Sequence, residues 1–339
     1  MTDAPPAPDA SPSLGAATDA DGQSNEPGAL TPQRVLFIGG LGRSGTTLVE
    51  KLLNELPDTF AVGETIHVWE RGVRNQERCG CGEPFEDCPQ WSAVGQEAFG
   101  GWDNVDLDEM IGLRWRVDRS RRLPVIAESQ RRGRPTPDQD RYLLHLRKVL
   151  LAAAEVAGRP KVLLESSKHL STAALMALDD AIDLRVLHLV RDPRGVAYSW
   201  TKDVERPETD GEVMPTYRPA RTAARWVTDN LGFEALALRV PTLRLRYEDV
   251  LADPTGSLRA IAQLVELDEA TLDLNFIAGD TVTLSKPMHS VAGNPLRFGG
   301  DEMKLALDEA WKTELDSVQR RLVTTITAPM LWRYGYGFG

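Results

Sequence analysis

The chain has 339 residues, 42% hydrophobic and 26% charged, a balance that supports a globular protein with a real core. Fifty acidic against thirty-nine basic residues leave a net charge of −11, which argues against a general nucleic-acid binder, because such proteins carry a basic surplus to neutralise phosphates. No apolar run approaches the ~18 residues of a membrane span, and three cysteines are too few for a disulfide framework.

Residues 1–33 are rich in Pro, Ala, Asp and Ser, with five acids and no base. Such a stretch cannot bury enough apolar surface to offset its ordering entropy, so it is expected to be a disordered tail. It has no basic segment followed by an apolar core, so no secretory signal is expected and a cytoplasmic location is. Order is expected from Arg34 onward, as one domain over 34–339.

Val35-Leu36-Phe37-Ile38 reads as a buried strand, followed by a Gly-rich turn over Gly39–Gly45. Thr46–Leu56 then places Leu48, Val49, Leu52, Leu53 and Leu56 on one helical face. Phe60-Ala61-Val62 is a short strand. Lys161–Leu164 is a strand before a helix from Ser171, and Leu184–Val190 is a long strand with Pro193 at the next helix start. Thr242–Leu245 is a further strand, and Asp253-Pro254 opens the helix after it. Alternation of this kind implies a three-layer α/β/α fold around a central parallel sheet. Asp301–Leu331 reads as wholly helical.

Gly40-Leu-Gly-Arg-Ser-Gly45-Thr46-Thr47 sits between a strand and a helix, the context of a phosphate-binding loop. Thr46 stands where the nucleoside-triphosphate pattern has lysine. Backbone N–H groups and a helix amino terminus still suit an anion, and Arg43 adds one cation. The loop thus fits an oxyanion donor with less charge at the transferred group, such as a sulfonate on a nucleotide phosphate.

These residues, with the core Gly42-Arg43-Ser44-Gly45-Thr46-Thr47-Leu48, resemble the 5′-phosphosulfate loop of the sulfotransferases that use 3′-phosphoadenosine 5′-phosphosulfate (PAPS). A second match lies in Leu187–Ser199, where Arg191 at a strand end is followed eight residues later by Ser199, like the family's 3′-phosphate signature. An arginine fork with a hydroxyl makes a compact phosphate site. Glu165-Ser166-Ser167-Lys168 resembles an Asp-Ser-Ser-Lys segment of bacterial members, Tyr247-Glu248-Asp249 a Tyr-Glu-Asp-Leu segment, and Gly293-Asn294-Pro295 with Arg297 a late Gly-Asn-Pro…Arg loop. Leu48 stands where the cytosolic branch has an adenine-stacking tryptophan, and that branch's Arg-Lys-Gly loop is missing. The pattern is closer to the bacterial and protein-tyrosine branches.

The resemblance implies a P-loop-like sulfotransferase fold and sulfuryl transfer from PAPS to a hydroxyl or amine, releasing 3′,5′-ADP. It implies that Arg43, Ser44, Gly45, Thr46 and Thr47 hold the 5′ end of the donor, and Arg191 and Ser199 its 3′-phosphate. Tyr247 and Arg297 are further candidates for the nucleotide. Lys168 is expected to reach the bridging oxygen. Glu64, at the end of the Phe60–Val62 strand, resembles the glutamate base of protein-tyrosine sulfotransferases. His169 is the rival base, although it lies one position too close to its lysine. No metal is demanded, since arginine, lysine and N–H groups can cover the charge. The expected acceptor is a small molecule, a carbohydrate or a lipid-linked group, with no nucleic-acid partner, and the sequence carries no signal for an oligomeric state.

All three cysteines fall in Cys79-Gly-Cys81…Cys88-Pro. The spacing lacks the second pair of a strong zinc signature, and His67 is the nearest fourth ligand in sequence. A compact insertion with free thiols or one labile disulfide is the expectation. Arg114–Arg134 carries eight arginines against two acids, either a solvated loop or an acceptor lid that concentrates anions. Together, residues 79–134 are the expected acceptor region. The competing functions are a small-molecule kinase on a similar loop, with Leu187–Asp192 as its magnesium strand, and a noncatalytic nucleotide-binding module.

Overall fold

The computed structural model describes residues 31–209 and 212–338. The tail expected over 1–33 lies almost wholly outside the described residues, and the first strand already begins at Gln33. Residues 32–339 form one compact unit.

Its centre is a five-stranded parallel sheet. The strands are β1 (Gln33–Gly39), β2 (Thr59–Gly63), β3 (Val162–Lys168), β4 (Ile182–Val190) and β5 (Thr242–Arg246), in the spatial order β2-β3-β1-β4-β5. β1 is central and covered on both faces, which explains its unbroken apolar run. Val35 and Phe37 join one core, and Leu36 and Ile38 the other, all fully buried.

On the Phe37 side lie α2 (Pro89–Phe99), α3 (Leu107–Val117), α4 (Leu123–Arg132), α5 (Pro137–Val156) and α6 (Leu170–Met176). α5 starts sharply because Thr136 and Gln139 form a reciprocal capping box ahead of Pro137. Trp91, Val94, Met110 and Leu113 share the core with Phe37, so residues 79–134 are part of the main fold. Opposite lie α1 (Thr46–Asn54), α9 (Tyr247–Ala252) and α10 (Pro254–Leu264). Asp253 caps α10 by accepting from Gly256 N–H at 2.9 Å, as its Asp-Pro start suggests. The helix α7 (Pro193–Ser199) follows β4, and α8 (Pro219–Leu236) packs beside it.

The carboxyl end of the chain differs from expectation. A small antiparallel sheet holds β6 (Ile277–Ala278), β7 (Thr281–Thr283) and β8 (Glu302–Lys304). Helix begins only with α11 (Trp311–Glu314) and α12 (Ser317–Arg333). Residues 301–310 are rich in helix formers, but Met303 and Leu305 alternate with Glu302 and Lys304, a period of two that suits a strand edge. Met303 and Leu305 face the core around Val282. No described helix is long and apolar enough to cross a membrane.

Candidate active site

At the carboxyl ends of β1, β3 and β4 lies a cleft of about 600 Å³, where ligands of open parallel sheets bind. The turn between β1 and α1 forms one wall. Gly45 has φ 89°, and a Cβ there would sit 2.3 Å from the Tyr247 ring, so the close packing of loop on tyrosine requires glycine. Among the described residues no side chain caps α1, so its first N–H groups are left for another acceptor. Ser44, Thr46 and Thr47 are buried, and Thr46 and Thr47 line the cleft.

Arg43 adopts a left-handed backbone (φ 74°), and its guanidinium lies 5.3 Å from the Trp200 ring. Trp200 also donates to the Gly42 carbonyl at 2.8 Å, and so braces the loop. Nε and Nη2 of Arg43 are shielded from solvent and have no hydrogen-bond partner among the described residues. Burial lowers the pKa of this guanidinium. Unpaired buried donors are costly, and an anion would satisfy them. Arg191 joins the same wall. Its Nη1 donates to the Arg43 carbonyl at 3.0 Å, its Nη2 to the Asp308 carbonyl at 3.3 Å, and it lies 5.0 Å from the Tyr247 ring. Ser199, the last residue of α7, lines the cleft as well. The structure thus brings Arg43, Thr46, Thr47, Arg191, Ser199 and Tyr247 together.

Arg297 is placed differently. It is buried and donates to the Arg78 carbonyl at 2.9 Å, with Glu208 at 3.7 Å. Its neighbours Gly293, Asn294 and Leu296 line the cleft, and Arg297 does not.

The opposite wall carries Glu64 and Lys168, which form an ion pair. Lys168 has φ 67° and also donates to the Ser166 carbonyl at 3.1 Å. Glu64 is held by its backbone N–H, which donates to Val291 O at 2.8 Å, and His67 Nε2 lies 3.5 Å from its carboxylate. Beneath this pair, the fully buried Glu165 accepts from Thr65 N at 3.0 Å and Thr65 Oγ1 at 2.7 Å, while Ser167 Oγ accepts from Ile66 N at 3.0 Å. These bonds lock the turn after Glu64 onto β3. Glu50 of α1 accepts from Ser166 Oγ at 2.8 Å. Burial pushes Glu50 up to about 8 and Glu165 up to about 7.

His169 sits in the cleft at the start of α6, and burial with Arg225, Arg114 and Lys168 nearby lowers its pKa to about 3. Burial, then nearby cations, takes His67 well below its ordinary value. Both imidazoles are therefore neutral at pH 7.

The arginine-rich segment divides. Arg114 and Arg119 line the cleft, whereas Arg116 pairs with Asp138, and Arg131 and Arg132 with Glu128. Arg71 and Arg206, also on the cleft wall, are neutralised by Glu77 and Glu208. Arg119 stacks on Trp115 and Arg221 on Tyr217, and neither has a carboxylate within ion-pair distance among the described residues. Sequence reasoning missed Trp200, Arg206 and Arg221, which come from residues 200–221, a stretch without a local motif. It also gave no role to Glu50.

A sulfotransferase family model matches residues 35–271. Two mouse proteins are each 24% identical to this chain: carbohydrate sulfotransferase 7 over 89% of this chain and 74% of its own length, and carbohydrate sulfotransferase 5 over 92% and 83%. Among solved structures, the sulfotransferase domain from the curacin biosynthetic pathway matches with a TM-score of 0.47 and 17% identity, covering 91% of this chain and 99% of its own.

Proposed function

Since the chain belongs to the sulfotransferase family, we propose that it transfers a sulfuryl group from PAPS to a hydroxyl of a small-molecule, carbohydrate or lipid-linked acceptor, with residues 34–339 as the catalytic unit. The contact between Arg191 and the Arg43 carbonyl carries the donor reading, because two arginines this close together support a shared nucleotide as their ligand. The unpaired donors of Arg43 and the uncapped start of α1 fit a 5′-phosphosulfate. Arg191 and Ser199 would hold the 3′-phosphate, and Tyr247 the nucleotide between them.

The donor supplies a sulfuryl group whose bond to the phosphate oxygen breaks as the acceptor oxygen bonds to sulfur, leaving 3′,5′-ADP. Glu64 takes the acceptor proton as general base. Lys168 pairs with Glu64 and orients its carboxylate, then stabilises charge on the departing oxygen. His169 is too weakly basic, at about 3, to compete. Arg119 and Arg221 hold the acceptor side of the cleft. Carbohydrate acceptors are favoured by the mouse relatives, whose names state that substrate class.

The kinase reading loses its magnesium ligand. The Asp192 carboxylate is taken up by Arg194, at 2.9 Å from Nε and 2.7 Å from Nη2, and also caps α7. Thr46 replaces the phosphate-binding lysine as well. Calorimetry with 3′,5′-ADP and with ATP plus magnesium separates the two, and labelled-PAPS transfer to a carbohydrate panel tests turnover. Binding of 3′,5′-ADP and labelled product are expected; binding of magnesium-ATP alone would overturn the proposal.

A further inference from the structure

The cysteine segment finds its fourth partner far away in sequence. Cys79, Cys81, Cys88 and His289 bring their ligand atoms within 4.8 Å of one another. His67, the histidine nearest the cysteines in sequence, lies instead beside Glu64. The chain distance from Cys88 to His289 hid the true partner: the residues are 201 apart.

The spacing matches one metal geometry. A tetrahedral zinc with Zn–S of about 2.3 Å and Zn–N of about 2.0–2.1 Å sets thiolates ~3.8 Å apart and thiolate to imidazole ~3.6 Å apart. Cys81 Sγ lies 3.7 Å from Cys88 Sγ, and Cys88 Sγ 3.3 Å from His289 Nδ1. A disulfide requires ~2.05 Å, and all three cysteines are free.

The backbone around the four residues is equally determined. Cys79 N–H donates to Glu83 O at 2.8 Å and Gly82 N–H to Cys79 O at 2.8 Å, a tight turn that sets two thiols side by side. Gly80 lies against the later segment: its N–H donates to Ser290 O at 3.1 Å, and a Cβ there would meet Met288 O at 2.5 Å. Trp91 Nε1 donates to His289 O at 2.7 Å, and the imidazole lies parallel to Phe60 at 6.4 Å. Cys79 and Cys88 are buried, as a closed structural site requires.

We propose that Cys79, Cys81, Cys88 and His289 bind one structural zinc ion, which staples the 79–88 turn to the late segment carrying Gly293 and Asn294. That segment also pairs with β2 at Gly63–Val291 and receives the Glu64 N–H. The ion therefore supports the wall that holds Glu64 and takes no part in transfer.

The test is elemental analysis of the full chain, purified without added zinc and without a metal-affinity column. About one zinc per chain is expected, released in step with titration of the three thiols by a mercurial reagent. Exchange with cobalt(II) should give tetrahedral d–d bands and thiolate charge transfer. Cys81→Ser should lose most of the metal, and His289→Cys, which keeps four ligands, should retain it. Folded wild-type protein with no bound zinc, whether its cysteines are free or disulfide-bonded, would overturn the proposal. So would a folded Cys81→Ser chain that keeps a full equivalent. None of these readings depends on sulfuryl transfer.

Discussion

Arg191 donates through Nη1 to the backbone carbonyl of Arg43, 3.0 Å away across 148 residues of sequence. One arginine thus fixes the peptide that aims the other, so the two ends of the proposed donor site are mechanically coupled. Side chains that share a contact in this way respond non-additively to substitution.

Arg191→Ala and Arg43→Ala should each weaken 3′,5′-ADP binding by roughly 10- to 150-fold, the loss of about 1.5–3 kcal/mol expected for hydrogen bonds to a charged group. The double variant should lose less than the sum of the two. Titration calorimetry on the three proteins measures both statements, and wild-type affinity in either single variant would contradict the assignment.

Glu64→Gln should lower kcat by about 10²- to 10⁴-fold, the usual weight of a general base, while leaving 3′,5′-ADP affinity within about twofold. His169→Ala should keep most of its turnover, because an imidazole with a pKa of about 3 accepts few protons at neutral pH. Steady-state kinetics paired with calorimetry distinguishes the two, and the reverse ranking would move the base to His169.

Glu50 gives a pH dependence of stability with a definite sign. Its carboxyl is raised from 4.5 to about 8 chiefly by burial, opposed by the hydroxyl of Ser166 and the charge of Lys168 and reinforced by the carboxylates of Glu64 and Glu165. A raised carboxyl pKa favours the folded state fully below about 4.5, and this contribution is lost as pH climbs toward about 8. The wild-type melting temperature should therefore fall more steeply across that window than that of Glu50→Gln. Parallel slopes in thermal melts would show that Glu50 does not titrate there.

Arg119→Ala and Arg221→Ala should raise the acceptor KM by roughly tenfold, about 1.4 kcal/mol each, with 3′,5′-ADP binding unchanged. Among the described residues neither has a carboxylate within ion-pair distance, unlike Arg71 and Arg206, which leaves both cations available to a polar or anionic acceptor. A weaker 3′,5′-ADP complex in either variant would assign it to the donor instead.

What the sequence revealed was what short-range rules encode. The strand-turn-helix around Gly40–Thr47 and the Arg191–Ser199 spacing were legible because turn chemistry, helix start and strand end lie within a few residues of each other. The positions of Glu64 and Lys168 followed from strand ends, but their ion pair joins two strands 104 residues apart and could not be read. Distance along the chain likewise hid the Glu50–Ser166 bond and the approach of His289 to the cysteines. Arg297 fitted a loop pattern, yet its direction was set by the Arg78 carbonyl and Glu208, neither of them in the motif. Residues 301–310 have a helix-forming composition, which the paired edge beside β7 overrides.

The shared core of Phe37 with Trp91, Val94, Met110 and Leu113 bears on how such an enzyme could be re-engineered. Grafting the 79–134 stretch from another family member would tear apart the layer supporting the central strand, so chimaeras cut at those boundaries should be insoluble. Altered selectivity is more readily reached by changing exposed side chains at the cleft mouth, where the scaffold tolerates replacement.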